Sequence, residues 1–298
     1  STEGENNSTN FTTQNIVVSV AAVADAPTLS VSNASGNEDT AISLSISPAL
    51  TDTDGSESLS IQISGVPTGA TLSAGTNAGN GVWNLTTAQL AGLKITPAAN
   101  SDQDFTLSVK AISTEGENNS TNFTTQNIVV SVAAVADAPT LSVSNASGNE
   151  DTAISLSISP ALTDTDGSET LSIQISGVPT GATLSAGTNN NDGSWTLTPT
   201  QLTNLTITPA ANSDQDFTLS VKAISTEGEN NSTNFTTQNI VVSVAAVADA
   251  PTLSVSNASG NEDTAISLSI SPALTDTDGS ESLSIQITGV PTGATLSA

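Results

Sequence analysis

The 298-residue chain carries 29 Asp and Glu against 3 Lys and Arg, a formal charge of −26, so it lacks the basic footprint that nucleic acid or an anionic membrane requires. It has no Cys, His, Met or Tyr, which removes disulfides, thiolate and imidazole metal sites and most general-base chemistry. No apolar run approaches the roughly 20 residues of a membrane span, and no signal peptide opens the sequence.

Ser-Thr-Glu-Gly-Glu-Asn-Asn begins at Ser1, Ser113 and Ser225, a period of 112 residues. A period that long means tandem whole domains rather than solenoid turns. Residues 1–24 read as the end of one repeat, 25–136 and 137–248 as two full repeats, and 249–298 as the beginning of another. The chain is expected to be a window on a longer array.

In chain order, residues 12–23 alternate Ile16, Val18 and Val20 with Val17 and Ser19 as a strand does, without its upstream partners. Ala24-Asp25-Ala26-Pro27 follows, where proline keeps itself and its neighbour extended, so a short stiff joint is expected there and again at Asp137 and Asp249. Leu29 and Val31 mark a first strand, Ile42, Leu44 and Ile46 a second, and Leu59, Ile61 and Ile63 a third, each alternating with small polar residues. Residues 70–74 and 82–86 are weaker candidates, followed by 93–97 and a long pair at 105–112 and 123–132. Residues 86–89, whose second copy reads Thr198-Pro199-Thr200-Gln201, suit one helical turn with Thr as N-cap and Gln three positions on. A domain strung end to end needs its termini at opposite poles, hence an odd number of crossings. With 70–74 as a partial strand, seven remain, which predicts an all-β, Greek-key, immunoglobulin-like sandwich.

Asp52-Thr53-Asp54-Gly55-Ser56-Glu57 packs three carboxylates and a turn glycine into six residues, and returns at 164–169 and 276–281. Carboxylates so crowded repel unless a cation sits among them, and a hard divalent ion taking six to eight oxygens can hold them, which reads as a calcium loop. It departs from the EF-hand, because its Gly is fourth rather than sixth and no Glu stands twelfth. The topology puts residues 52–57 and 113–122 at the pole where the chain enters a domain, and residues 37–39 and 101–104 at the pole where it leaves. One joint is thus expected to gather Glu38, Asp39, Asp102 and Asp104 from one domain, Asp137 from the linker, and Asp164, Asp166 and Glu169 from the next. Asp25, Asp52, Asp54 and Glu57 serve the preceding joint, and Glu150, Asp151, Asp214, Asp216, Asp249, Asp276 and Asp278 the following one. Glu227 and Glu229 fall nearby without being assigned as ligands. Calcium shared between two domains and a linker should stiffen a joint that otherwise swings. The competing reading is a solvated acidic surface, against which the ten acids of a repeat all fall in turns or the linker and none on an outward strand face.

Val-Ala-Asp-Ala-Pro-Thr-Leu, Gly-Asn-Glu-Asp-Thr, Leu-Thr-Asp-Thr-Asp-Gly-Ser-Glu, Ser-Gly-Val-Pro-Thr-Gly-Ala-Thr-Leu-Ser-Ala-Gly-Thr and Leu-x-Ile-Thr-Pro-Ala together resemble the cadherin-like and immunoglobulin-like repeats of giant bacterial adhesins of the RTX type. The resemblance covers the whole chain. It implies a type I secreted protein of the bacterial cell surface, in which many such domains form a calcium-stiffened stalk and other parts of the parent contact the distal ligand. In cadherins an Asp-x-Asp of the next domain joins a linker Asp and acids of the domain before, roles matched by Asp164 and Asp166, Asp137, and Glu38 with Asp102 and Asp104. The linker departs from that pattern in having a single Asp.

Trp83 and Trp195 are lone large aromatics on strands and are expected to be packing residues rather than a ligand platform. Asn-x-Ser/Thr triplets such as Asn10-Phe11-Thr12 and Asn84-Leu85-Thr86 arise readily in a chain this rich in Asn, Ser and Thr, and glycosylation is not expected. Asp102 and Asp104 could form a glycosidase pair only with a cleft and an aromatic platform, and nothing aromatic lines one. The expectation is therefore a non-catalytic extender whose partners are neighbouring repeats of its own chain. A carbohydrate- or protein-binding or homophilic adhesion module acting through its own surface is the alternative, and residues 78–94, where the two copies differ most, would be its variable edge.

Overall fold

Alternation of branched aliphatics with Ser, Thr and Gln makes pleated strands with one apolar face, and two such faces bury each other. The computed structural model describes the whole chain except Glu3, residues 6–8 and Ala298. It divides into two units, Ser1–Ala133 and Ala134–Ala298, each built around one complete sandwich.

The first sandwich uses eleven short strands: β1 (Thr28–Ser32), β2 (Ala34–Asn37), β3 (Ile42–Ser43), β4 (Ser45–Ala49), β5 (Glu57–Ser64), β6 (Thr71–Leu72), β7 (Thr76–Gly79), β8 (Val82–Thr86), β9 (Lys94–Thr96), β10 (Phe105–Glu115) and β11 (Thr121–Ala133). One sheet runs β2-β11-β10-β5-β8-β7, and the facing layer consists of β1-β4 and β3-β9-β6. Between them lies a core that includes Leu29, Ile42, Ile61, Ile63, Ile95, Leu107, Val109, Ile128 and Val130. The second sandwich repeats this arrangement around Leu141, Ile173, Ile175, Ile207, Leu219 and Ile240. This is an all-β, immunoglobulin-like topology, in which the first strand pairs in one sheet and then passes to the other to lie parallel to the last strand.

All eight strand candidates form, residues 70–74 contributing only the two-residue β6, but the second, expected as one strand through Ile42, Leu44 and Ile46, is broken at Leu44 into β3, which pairs with β9, and β4, which pairs with β1. The structure adds two that the alternation does not announce. β2 exists because the chain switches sheets at Asn33, whose side chain accepts a hydrogen bond from Val129 N–H at 3.0 Å. Gly36 lets that switch pass close to its neighbour, since a Cβ there would meet Ile42 Cγ1 at 2.7 Å. β7 pairs with β8 at the sheet edge through a register shift. The expected helical turn is a 3₁₀ turn at Thr87–Leu90, with Thr86 and Gln89 forming a capping box, and Pro199–Leu202 repeats it. Trp195 is buried in the core and Trp83 packs against the equivalent one.

The end pieces show what partners contribute. Thr-Asn-Phe-Thr-Thr-Gln-Asn-Ile-Val-Val-Ser-Val-Ala forms β11 and the strand Thr233–Ala245, yet the same sequence at residues 9–21 adopts no strand, and Ile16 and Val18 are exposed. The expected strand at 12–23 is therefore absent, because strand propensity is realised only against cross-strand neighbours. Among the described residues of 249–297 one hairpin forms, Thr252–Ser256 with Ser269–Ala273, and Leu253 and Val255 are left exposed without the facing sheet.

Each sandwich has an entry pole and an exit pole at the two ends of its last strand, which with 13 residues spans roughly 40 Å in β11. Thr124, near the start of β11, donates to Pro27 O, whereas Ala133, at its end, accepts from Glu38 N–H. Turn backbones between the poles are tightly fitted. Gly65 has φ +82, and a Cβ there would stand 2.6 Å from Thr106 O. Gly65→Ala is expected to destabilise the first sandwich by about 1–3 kcal/mol in urea melts, a cost of forced left-handed backbone plus displacement of a strand carbonyl.

Candidate metal centre

The Asp-x-Asp-Gly-Ser loop is a stack of Asx turns. Asp52 Oδ1 accepts from Asp54 N–H at 2.9 Å and Asp54 Oδ1 from Ser56 N–H at 2.8 Å, while Gly55 takes φ +95 to complete the bend. Asp164 and Asp166 repeat these bonds, as do Asp276 and Asp278. Hydrogen bonds from Ser56 to Asp54, and from Ser280 to Asp278, hold those carboxyls below the usual carboxylate range. Each Asp thus commits one oxygen to shaping the loop, and the other oxygen of Asp276 accepts from Ser280 Oγ at 3.0 Å.

The linker is not a free spacer. In the first unit, Asn118 Nδ2 donates to Ala22 O at 2.6 Å, Ser120 Oγ accepts from Ala24 N–H at 3.1 Å, Asn122 Nδ2 donates to Ala24 O at 3.2 Å, and Ser113 Oγ donates to Asp25 O. Asn230, Ser232, Asn234 and Ser225 grip residues 134–137 in the same way. The segments before Pro27 and Pro139 are therefore clasped to the sandwich that follows each.

In the second unit the exit pole of the sandwich meets the acidic loop of the last piece. Glu150, Asp276 and Asp278 each offer a carboxylate oxygen, and these three atoms lie within 4.8 Å of one another. Glu150 and Asp276 are both 2% exposed. Glu150 Oε1 accepts from linker Val247 N–H at 2.6 Å, and its Oε2 is buried with no hydrogen-bond partner. Asn212 Nδ2 lies 3.4 Å from Asp249 Oδ2 and 3.3 Å from Thr275 O, which brings the linker acid to the same place, and Asp214 hydrogen-bonds Asp278. Two buried like charges at such a separation repel by roughly 3 kcal/mol at an effective dielectric of 20. The three Lys lie elsewhere: Lys110 and Lys222 sit over the Phe123 and Phe235 rings at 3.9 and 3.8 Å, and Lys94 lies in β9. An all-oxygen donor set with a bare buried carboxylate oxygen fits a hard divalent cation.

Other predicted acids have in-domain work. Asp39 Oδ1 accepts from Asn100 N–H at 2.9 Å and Asp151 Oδ1 from Asn212 N–H at 3.0 Å, closing the exit-pole turns. Asp104 Oδ1 accepts from Val132 N–H and Asp216 Oδ1 from Val244 N–H, both at 2.8 Å, capping the last strand. Glu38 is buried at the exit pole of the first sandwich, and Asp102 is half-buried in the turn beside Asp104. Asp25 and Asp137 each donate a backbone N–H at 2.5 Å to Glu57 and Glu169 respectively.

Glu115 and Glu227, acids at the entry poles, were not among the predicted ligands. Glu115 ends β10 directly opposite Glu57, the first residue of β5, and Glu227 faces Glu169 in the same register. Not all ten acids of a repeat therefore sit in turns or linker. The signal was present, because Leu107, Val109, Ala111, Ser113 and Glu115 keep one period-two phase, so Glu115 points inward with the core.

No family model and no curated protein matches the chain. Solved structures that it is similar to include the titin domains Z1Z2 in complex with telethonin (12% identity, 76% of this chain and 100% of that one, TM-score 0.28). Chicken VE-cadherin EC1-2 (12% identity, 72% and 97%, TM-score 0.27) and the Escherichia coli adhesin FdeC (18% identity, 86% and 76%, TM-score 0.23) are others. Likenesses this distant leave the functional reading to the carboxylates.

Burial, then the charges of Asp164, Asp137 and Glu227, push the Glu169 carboxyl up, against a lowering hydrogen bond from Asp137 N–H. A raised folded value means that protonation favours the folded chain, and that this stability is lost as pH rises through the folded value. With divalent ions chelated, Glu169→Gln should stabilise the second sandwich at neutral pH. The gain should shrink on acidification and vanish below the ordinary glutamate range. Thermal melts across the acid range check it, and a pH-independent gap between variant and parent would contradict it.

Proposed function

We propose that this chain is a non-catalytic extender segment of a bacterial surface adhesin, in which calcium bound at the acidic joints holds successive sandwiches in line. The observation that carries the reading is Glu150, whose buried, unpartnered Oε2 belongs to one sandwich while Asp276 and Asp278 beside it belong to the loop of the next piece. An ion there is shared across the joint, and its binding energy goes into fixing the angle between the two elements. Calcium suits the donors, which are carboxylates with amide and backbone carbonyls and include no nitrogen or sulfur ligand.

The sequence supports repetition of the same device. Glu38, Asp164 and Asp166 stand 112 residues before Glu150, Asp276 and Asp278. An array of such repeats would stiffen joint by joint as calcium rises, as it does on passing from a cell interior to the outside. On this reading the parent is secreted and held at the cell surface, and other parts of it make the distal contacts.

Small-angle scattering in calcium and in chelator tests the mechanism. The longest dimension should fall and its distribution broaden when calcium is removed, and Glu150→Gln with Asp276→Asn should abolish most of that response at the second joint. Calcium at about 100 times its dissociation constant should add roughly 2.7 kcal/mol of stability per site. Extension that ignores chelation would remove the stalk reading.

A further inference from the structure

The entry pole of each sandwich carries a pair that the joints account for only in part, since Glu57 and Glu169 are expected joint ligands and their partners Glu115 and Glu227 are not. Glu57 and Glu115 are direct cross-strand partners at the ends of β5 and β10, and Glu169 and Glu227 repeat the pair. Opposed like charges on neighbouring strands are destabilising even at a surface. Three of the four are not at the surface, Glu115 being 2% exposed, Glu169 7% and Glu227 0%, and Glu57 is half-buried.

Glu115 Oε1, Glu57 Oε2 and Glu169 Oε2 are all buried without a hydrogen-bond partner. Their sister oxygens are held in place. Glu57 Oε1 accepts from Asp25 N–H, and Glu115 Oε2 accepts from Ser56 Oγ at 3.2 Å. In the second sandwich Ser168 Oγ lies 3.4 Å from Glu227 Oε2 and 3.5 Å from Asp164 Oδ2, and Gly228 N–H lies 3.2 Å from Glu227 Oε1. The carboxylates are therefore clamped in position, with bare oxygens left inside the pole.

We infer a divalent-cation site internal to each sandwich, built on Glu57 and Glu115 in the first and on Glu169 and Glu227 in the second, with Asp52 or Asp164 at its edge. A hard oxygen-seeking ion is the ligand class, because the donors are carboxylate and hydroxyl oxygens only. The site deepens the joint reading, from which it takes Glu57, Glu169, Asp52 and Asp164: with Glu115 and Glu227 added, these hold an ion that needs no neighbouring domain and would fill even if no ion bridged Glu150 to the next loop. Its consequence is local: it ties the clasped linker, the Asp-Gly-Ser loop and the last turn of the same sandwich to one point.

Calcium titration calorimetry of the full chain tests this with two variants. Glu115→Gln with Glu227→Gln should bind about two fewer ions per chain, one for each complete sandwich, while Glu150→Gln keeps those ions and loses the one at the joint. In chelator the double variant should melt at or above the parent, because Gln relieves the repulsion, and its calcium-dependent rise in Tm should shrink. Independently of any variant, the side-chain carboxyl carbons of Glu115 and Glu227 in the parent chain should shift in NMR on addition of calcium and saturate. Wild-type stoichiometry and affinity in the double variant, or carboxyl signals that ignore calcium, would overturn the site and leave the joint reading standing. Loss of ions in the double variant alone would do the reverse.

Discussion

Carboxylates placed where they cannot escape one another set the terms for this molecule. Glu57 faces Glu115 across two paired strands, and Glu150 meets Asp276 with both nearly excluded from water. A surface acid can turn into solvent, but these are fixed by strand register, by backbone hydrogen bonds to one oxygen, and by a serine hydroxyl between neighbours. Burying an unpaired charge costs several kcal/mol, so a fold that repeats the arrangement in every sandwich carries a standing electrostatic debt in the absence of cations. That is why the poles, rather than the faces, are where function is to be sought.

The sandwich topology turns a linear pattern into this spatial one. Because the first strand changes sheets and lies parallel to the last, the entering and leaving segments end at opposite poles, and acids distant in sequence converge, as Asp25 does with Glu57 and Glu57 with Glu115. The clasp of the linker by Asn118, Ser120 and Asn122 adds a directional element. The segments before Pro27 and Pro139 are thus attached to the sandwich that follows them, whereas Val247 of the last linker donates its N–H back to Glu150 of the sandwich before it. The proposed cation at Glu150, Asp276 and Asp278 would act on the step from that sandwich to the next piece.

Much of this could be read from residue order. Period-two alternation located every strand with a buried face, the odd crossing count separated the poles, and Thr86 with Gln89 marked the 3₁₀ turn. Three features escaped. β2 has Gly36 and small polar residues where an apolar face would be, because it is held by backbone pairing to β11 and by close passage over Ile42. Residues 9–21 match a strand sequence and are not one, since the pattern states which face would be buried but cannot supply what buries it. Glu115 escaped because a carboxylate followed by Gly looks like a turn, although its phase along β10 places it with Val109 and Ala111. Periodicity, carried one step past the last apolar residue, would have found it.

The distribution of charge also decides how far one joint feels another. Two of the three Lys lie over Phe rings in mid-sheet, and the outward strand positions are largely Ser, Thr, Asn and Gln, so the sides of a sandwich are nearly uncharged and its ends strongly negative. The poles of one sandwich are separated by a strand of roughly 40 Å, whereas charges in physiological salt are screened over about 8 Å. Events at one pole are therefore electrostatically silent at the other. Cation occupancy would be decided pole by pole, from the donors within reach, and the response of a string of repeats would be the sum of independent local transitions rather than a concerted switch. A graded response of that kind needs no allosteric wiring through the core, which fits cores built from interchangeable Leu, Ile and Val with no polar network crossing between the sheets among the described residues.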